Sequence, residues 1–142
     1  MDIKARNNIY LGFDFGLRKI GVAVGQLITK SASPMPILPA KDGAPNWQQL
    51  DKLIQDWQPC ALVTGLPLNM DGSEHEITKA AKKFVTQLEE RYKLPVHFVD
   101  ERLTTKAARE FIYEQGGYKA LQDSAIDSIA AKLILEDWLK AH

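Results

Sequence analysis

The apolar positions near the start of the chain predict two strands joined by a tight turn. Residues 9–13 form an apolar run, and residues 20–24 alternate large and small side chains. This period-two pattern, punctuated by glycines, is typical of a β-hairpin. Asp14 lies between the two runs, at the end of the first strand. A carboxylate in apolar surroundings is costly unless something pairs with it, so Asp14 is either a turn-capping residue or a functional acid.

The rest of the pattern predicts helices that alternate with strands. A third strand is expected over residues 30–39, where three prolines favour an edge position or an irregular strand. The pattern next predicts a turn at 42–45, a helix capped by Asn46 and a strand at 61–64. After these it predicts a helix from the Ser73–Glu76 capping box to Tyr92, a strand at 96–99 and two helices. The last helix is predicted to bury Ile126, Ile129, Ala130, Leu133, Ile134 and Trp138. This order indicates an α/β domain with a mixed sheet.

Length and composition narrow the class of protein. The chain has 142 residues, with 45% hydrophobic and 25% charged residues and a net charge of +0. These values are close to those of soluble globular proteins, and we expect a flexible tail over residues 1–8 and a single domain over residues 9–142. No window approaches 18 uninterrupted apolar residues, and no secretory segment follows the polar start. The sequence therefore predicts a cytoplasmic protein that does not bind membranes.

Three acids stand out because ligands of such sheets collect at the carboxyl ends of the strands. Asp14 and Glu101 each follow an apolar strand, and Asp127 lies in the first turns of the last helix. Each has an ordinary interpretation, since Glu101 could form a surface ion pair and Asp127 could cap its helix. Together they suit a hard divalent cation such as Mg²⁺, which takes carboxylate oxygens and phosphates. The scattered histidines do not suggest zinc, and no P-loop is present.

Four motifs in order resemble the YqgF family of the RNase H-like superfamily, whose members are described as Holliday-junction resolvases or pre-16S ribosomal RNA nucleases. The resemblance covers roughly residues 10–138. The motifs are Phe13-Asp14-Phe15-Gly16 with Ile20-Gly21-Val22-Ala23-Val24-Gly25, then Gly65-Leu66-Pro67-Leu68-Asn69-Met70-Asp71-Gly72, Asp100-Glu101-Arg102-Leu103-Thr104 and Asp127-Ser128-Ile129-Ala130-Ala131.

The resemblance implies a three-layer RNase H-like fold, in which helices flank a five-stranded mixed sheet. The first three strands of that sheet are expected to be antiparallel. It implies a hydrolase, namely a metal-dependent endonuclease that processes the 5′ end of pre-16S rRNA. It also implies that Asp14, Glu101 and Asp127 are the catalytic residues and that they bind one or two Mg²⁺ or Mn²⁺ ions. The well-studied junction resolvases carry a second acid three residues after the last one, where this chain has Ala130. This departure weakens the resolvase interpretation, unless Asp100 supplies a fourth carboxylate.

Candidate substrate contacts are basic or polar residues close to these motifs. They are Arg18, Lys19, Asn69, Asp71, Arg102, Lys106 and Arg109. A further basic cluster, Lys79 with Lys82 and Lys83, is more simply interpreted as a solvated helix face. The expected partners are a ribosomal RNA precursor or branched DNA and ribosomal particles, for a monomer or a homodimer.

Two other functions stay open from the sequence. The alternatives to rRNA processing are a Holliday junction resolvase and a non-catalytic module that binds RNA or protein on the same fold. The neutral net charge gives the binding module some support, because nucleic-acid binders usually carry a basic excess. An ATP-binding domain is disfavoured, since the actin-like proteins with a similar Asp-Phe-Gly hairpin need two domains and this length supplies one.

Overall fold

The computed structural model describes residues 8–66, 76–100 and 125–142, except for the side chains of residues 66, 100 and 125–127. Its elements are β1 (Ile9–Asp14), β2 (Lys19–Gln26), β3 (Ser31–Lys41), β4 (Ala44–Pro45), α1 (Trp47–Trp57), β5 (Ala61–Leu66), α2 (Glu76–Tyr92), β6 (Val96–Asp100) and α3 (Ala125–Lys140). Among these helices, none has the length and apolar character needed to cross a membrane.

The strands form one mixed sheet in the order β4-β3-β2-β1-β5-β6. The first strands are antiparallel, whereas β5 is parallel to β1 and β6 is parallel to β5. The α/β class, the mixed sheet and the antiparallel start are therefore confirmed. The expected count of five strands is wrong by one, because Asp42 and Gly43 both adopt positive φ angles, 51° and 85°. That conformation closes a two-residue hairpin, so that Ala44 returns to pair with Lys41.

Helices cover both faces of the sheet and give three layers. On one face, α1 and α2 contribute Leu50, Phe84 and Leu88 to a core that includes Leu11 and Phe13 of β1. On the other face, a separate core joins the sheet to α3; its buried members are Ala23, Ala32, Val63, Ala131, Ile134, Leu135, Trp138 and Leu139. The alternation of side chains along each strand supplies apolar groups to both cores.

Local signals in the sequence account for the limits of α1. The Asn46 side chain accepts a hydrogen bond from the Gln49 N–H at 3.1 Å, which is the predicted N-cap. At the other end Gln58 adopts a left-handed conformation, with φ of 46°, and its N–H donates to the Ile54 carbonyl at 2.8 Å. Pro59 follows and cannot continue the helix.

Helix α3 lies unusually close to the sheet because two strand residues have no side chain. A Cβ atom on Gly12 would lie 2.7 Å from Leu135 Cβ, and one on Gly25 would lie 3.0 Å from both Leu135 Cδ2 and Leu139 Cδ1. Real Cβ atoms do not approach their neighbours as closely as the first of these distances. The structure thus identifies α3 as the element that approaches Gly12 closely.

Candidate functional site

Three parallel strands end at the same edge of the sheet, here called the carboxyl edge. Phe13 of β1 pairs with Thr64 of β5, which in turn pairs with Phe98 of β6. Asp14 follows Phe13 as the last residue of β1 and is half-buried. A side chain at this edge can therefore approach residues that follow β5 and β6, as expected for a ligand site in a sheet of this type.

Helix α3 brings its first turns to the same edge. The Ser128 hydroxyl donates a hydrogen bond to the Met35 carbonyl at 2.6 Å, and Met35 lies beside Val22, the partner of Phe13. Ten residues later, the Trp138 ring contacts the Tyr10 ring near the start of β1, with ring centroids 5.1 Å apart. The helix therefore runs antiparallel to β1, and its N-terminal turns lie level with the end of that strand.

The predicted site residues fall into two groups. Asp14, Arg18 and Lys19 lie together at the β1–β2 turn, where Arg18 is exposed and Lys19 is half-buried. Asp127 belongs to the first turn of α3 and Asp100 ends β6, but their side chains lie outside the described residues. Also outside the described residues are Glu101, Asn69, Asp71, Arg102, Lys106 and Arg109. Glu101 is the next residue in the chain after the carboxyl end of β6.

The β1–β2 turn is held against the β3–β4 hairpin by backbone hydrogen bonds. The Ala40 N–H donates to the Arg18 carbonyl at 2.8 Å, and the Gly43 N–H donates to the Leu17 carbonyl at 2.9 Å. These bonds fix the backbone of the turn beside Asp14. The Arg18 and Lys19 cations are therefore carried by a positioned segment, which lowers the entropy lost when they contact a ligand.

Carboxylate oxygens, the donors that Mg²⁺ and Mn²⁺ prefer, are available at this edge through Asp14. Within the described side chains, no group of three His, Cys, Asp or Glu residues is close enough to hold a metal ion. Neither His97 nor His142 contributes here, because their rings stack on Trp138, with centroid distances of 4.8 and 4.0 Å. That stack lies near Tyr10, at the opposite edge of the sheet from the end of β1.

A groove opens on the other face of the sheet from α3, beside the β1–β2 turn. It lies between the β3–β4 hairpin and α2, and its lining residues are Asp42, Gly43, Ala44, Ala80, Lys83, Phe84 and Gln87. The basic cluster of α2 is next to it. The sequence signal for this cluster was visible, but residue spacing alone could not place it next to the turn that carries Arg18.

Comparisons with known proteins agree with this architecture. The family described as "RuvX: Holliday junction resolvase" matches residues 8–141. A protein of Actinobacillus pleuropneumoniae serotype 5b, named "Putative pre-16S rRNA nuclease", is 56% identical over 132 residues, which are 93% of this chain and 96% of the relative. A Legionella pneumophila protein of the same name is 52% identical over 132 residues, 93% of this chain and 95% of the relative.

Solved structures resemble the chain in fold. A fowlpox virus resolvase in complex with Holliday junction DNA has a TM-score of 0.58 at 11% identity, with 94% of this chain and 97% of the other covered. T. thermophilus RuvC in complex with a Holliday junction substrate has a TM-score of 0.57 at 15% identity, with 95% of both chains covered. Such low identities show the fold alone. The chain belongs to the RuvX family, also called YqgF, and has the RNase H-like fold that the sequence resemblance implied.

Proposed function

We propose that the protein is a metal-dependent endonuclease that hydrolyses phosphodiester bonds at the 5′ end of the 16S ribosomal RNA precursor. The observation that supports this most strongly is the 56% identity, over nearly the whole of both chains, to a relative named as a pre-16S rRNA nuclease. An enzyme of this kind acts in the cytoplasm, on precursor RNA or on ribosomal particles that contain it. We propose a single domain over residues 9–142, active as a monomer or as a homodimer.

The catalytic residues of this proposal are Asp14, Glu101 and Asp127, which would hold one or two Mg²⁺ or Mn²⁺ ions. Asp14 ends β1 at the carboxyl edge, and the α3 turn that includes position 127 lies level with it. Glu101 follows β6 in the chain, and β6 is parallel to β1 and separated from it by β5. The donor chemistry fits, because three carboxylates from separate elements can surround a hard cation without competing for one backbone segment.

A bound divalent ion would supply water activation and charge stabilisation at the leaving oxygen. The chain itself would position the substrate. In this proposal Arg18 and Lys19 contact phosphates near the cleaved bond from the fixed β1–β2 turn. Asn69 and Asp71 would line the substrate path, and Arg102, Lys106 and Arg109 would contact further phosphates. Half-burial of Asp14 keeps its carboxylate partly shielded from water, which strengthens its attraction to a cation.

A Holliday junction resolvase is the second candidate, and the description of the matching family favours it. The absence of an acid at position 130 weakens it. Ala130 is only 2% exposed, so this position of α3 carries a small buried side chain where the resolvases carry a carboxylate. Asp100 is the remaining candidate for a fourth carboxylate, which a two-ion site would use.

The test is cleavage of two substrates by the purified protein. A 16S rRNA precursor fragment and a four-way DNA junction would each be incubated with Mg²⁺, with Mn²⁺ or with chelator. Asp14→Asn would be compared with the wild-type protein, and Asp137→Asn would serve as the matched control, since Asp137 is an exposed acid in the C-terminal part of α3. We expect metal-dependent cleavage of the RNA, a loss of at least about 100-fold in Asp14→Asn, and no change in Asp137→Asn.

The two other functions give different results. Metal-dependent cleavage of the junction alone would select the resolvase. If neither substrate is cut, while both the wild-type protein and Asp14→Asn bind RNA equally well with chelator present, the nuclease proposal is wrong and the chain is a binding module.

A further inference from the structure

We propose that three lysines in the first half of α2, Lys79, Lys82 and Lys83, bind the phosphate backbone of the nucleic-acid arm that leads away from the cleaved bond. These residues are here called the α2 lysine surface. The proposal rests on the proposed function, and it adds a contact surface on the opposite face of the sheet from α3. All three lysines are exposed.

Ring contacts place this part of α2 beside the candidate catalytic edge. The Phe84 ring contacts Phe13 and Phe15, with centroid distances of 5.8 and 5.3 Å. Phe13 and Phe15 are the neighbours of Asp14 on either side, so the turn of α2 that carries Lys83 lies under the end of β1. A lysine side chain extends about 6 Å from its backbone, which allows the ammonium group to reach past the edge of the sheet.

The groove connects the α2 lysine surface to the β1–β2 turn. Lys83 lines one wall of the groove, and residues 42–44 line the opposite wall. Gly43 in that wall donates its N–H to the carbonyl of Leu17, the residue before Arg18. A polynucleotide backbone that leaves Arg18 would therefore follow the groove to Lys83, past the exposed side chain of Leu17. The exposed carboxylate of Asp42 in the groove wall is the unfavourable contact on this path.

The charge distribution along α2 supports a binding role. Its first nine residues contain three lysines and one glutamate, whereas its last eight contain two glutamates and one arginine. Only Lys79 lies near the N-terminus of the helix, where a cation opposes the helix dipole, so its position does not serve the stability of the helix. Lys79 forms an exposed ion pair with Glu76 at 3.7 Å. Counted from the sequence, this half of α2 has an excess of lysines over acids in a chain whose net charge is +0.

The spacing of the lysines also suits a phosphate backbone. Lys79 and Lys83 are four residues apart on one side of the helix, which is about 6 Å along its axis. Phosphates of one strand of a duplex are about 3.4 Å apart along the duplex axis, so the two lysines span roughly two nucleotides. The proposed function supplies such a phosphate backbone as the ligand of this protein, and we therefore assign this surface to nucleic acid.

The experiment measures binding separately from cleavage. The Asp14→Asn protein would bind a fluorescent 16S rRNA precursor fragment and a four-way DNA junction at 50 and 200 mM salt. Two further variants would be made in the Asp14→Asn protein. The glutamine variant carries Lys79→Gln, Lys82→Gln and Lys83→Gln, and the arginine variant carries the three corresponding arginine substitutions, which keep the charge. The matched control is the double substitution Lys93→Gln and Lys140→Gln, because these exposed lysines lie at the C-terminal ends of α2 and α3, at the opposite edge.

We expect the glutamine variant to lose salt dependence. Each phosphate contact changes the affinity by about 3.5-fold between these salt concentrations. The loss of three contacts should therefore reduce the affinity ratio, which is the affinity at 50 mM divided by that at 200 mM, by roughly 40-fold. The arginine variant and the control should keep the affinity ratio of the Asp14→Asn protein. An unchanged ratio in the glutamine variant, with wild-type protein that cleaves its substrate, would overturn this proposal alone. Wild-type protein that neither binds nor cleaves either substrate would overturn the proposed function together with it.

Discussion

Among the described residues, Thr64 has a buried side-chain oxygen without a hydrogen-bond partner. Its side chain is fully buried in β5, between Phe13 and Phe98 of the neighbouring strands. In the part of the chain that the structure describes, the Thr64 hydroxyl oxygen makes no hydrogen bond. A buried hydroxyl without a partner loses its hydrogen bonds to water on folding and forms none within the protein, which lowers the stability of the folded state.

The substitution Thr64→Val should therefore stabilise the protein. Valine has the same shape but no hydroxyl, so the free energy of unfolding should rise by about 1 kcal/mol and the melting temperature by roughly 2–4 °C. Urea denaturation measures this directly. Thr78→Val is the matched control, because Thr78 is also fully buried but has an interaction partner. We expect the control to lose stability, and a loss of stability in Thr64→Val as well would contradict the interpretation.

At the scale of elements, one polar cluster connects α1 to α2. Arg91 donates two hydrogen bonds to the Asp51 carboxylate, at 2.8 and 2.7 Å, and the Tyr92 hydroxyl donates a third at 2.7 Å. The Arg91 guanidinium also lies over the Trp47 ring, 5.0 Å from its centroid. Hydrogen bonds from Arg91 and then from Tyr92 lower the pKa of Asp51 to about 2. Burial, followed by the Asp51 contact, raises the pKa of Tyr92.

The lowered pKa predicts how this cluster responds to acid. In the unfolded chain the Asp51 pKa returns to its ordinary value of 3.8, so the folded state binds its proton less readily than the unfolded state. The stabilisation from the cluster is therefore complete above about pH 4 and is lost as the pH falls toward 2.

Asp51→Asn should accordingly unfold at lower urea concentration than the wild-type protein at pH 7, with a difference that shrinks below pH 4 and disappears near pH 2. The difference should be modest, because both Asp51 and Arg91 are partly exposed. Asp56→Asn is the control, since the exposed Asp56 forms its ion pair among the described residues with Lys52 on the same helix. A difference between wild type and Asp51→Asn that does not depend on pH would contradict the assignment.

The contact between α3 and the sheet depends on Gly12. An alanine there would place its Cβ 2.7 Å from Leu135 Cβ and 3.3 Å from the Ala131 carbonyl oxygen. Neither atom belongs to a flexible end of a side chain, so α3 must shift as a whole.

We expect Gly12→Ala to lower the free energy of unfolding by about 1–3 kcal/mol, as overpacked cores do. Cleavage should also fall in the protein that remains folded, because the displaced helix carries Asp127. Denaturation and cleavage assays on the same preparation separate the two effects. If stability were unchanged, α3 would not lie at this distance from β1.

For the molecule as a whole, the two cores share one sheet. The α1–α2 core and the α3 core lie on opposite faces of the same strands, and β1 contributes to both through Phe13 on one side and Gly12 on the other. Loss of the sheet removes one wall of each core. The two halves of the molecule should therefore unfold together, as in small single domains generally.

Urea unfolding tests this single-domain prediction. Tryptophan fluorescence reports Trp47 and Trp57 of α1 and Trp138 of α3, while far-UV circular dichroism reports the backbone. We expect both signals to give the same midpoint and slope. In a Trp138→Phe variant, the fluorescence of α1 alone should still follow the dichroism curve. Separate transitions would show that α3 unfolds independently of α1.

Much of the fold was predictable because local signals agreed with the final contacts. The hairpin, the Asn46 cap and the amphipathic face of α2 all follow from residue order, and the structure confirms each of them. The strand β4 was missed although Asp42-Gly43 is a strong hairpin signal, since a two-residue strand has no pattern of its own. Strand β5 extends two residues past Thr64, because pairing with β6 continues to Leu66.

The buried face of α3 was predicted less well. Ile129 and Leu133 are half-buried, whereas the fully buried positions include Ala131, Leu135 and Leu139. Helix α3 is apolar around most of its circumference, so periodicity did not select a face. The two glycines of the sheet select it by admitting Leu135 and Leu139.

By itself, the sequence determined the strands, the helices, the mixed α/β class and the family to which the chain belongs, because these depend on local patterns and on motifs in a fixed order. Only the tertiary structure decided which elements and side chains lie next to one another. Parallel pairing of β1 with β5 and of β5 with β6 brings three strand ends to one edge. The Phe84 contacts then bring the α2 lysine surface beside Asp14. These neighbours are distant along the chain, and their proximity follows from sheet register and core packing, which no local pattern specifies.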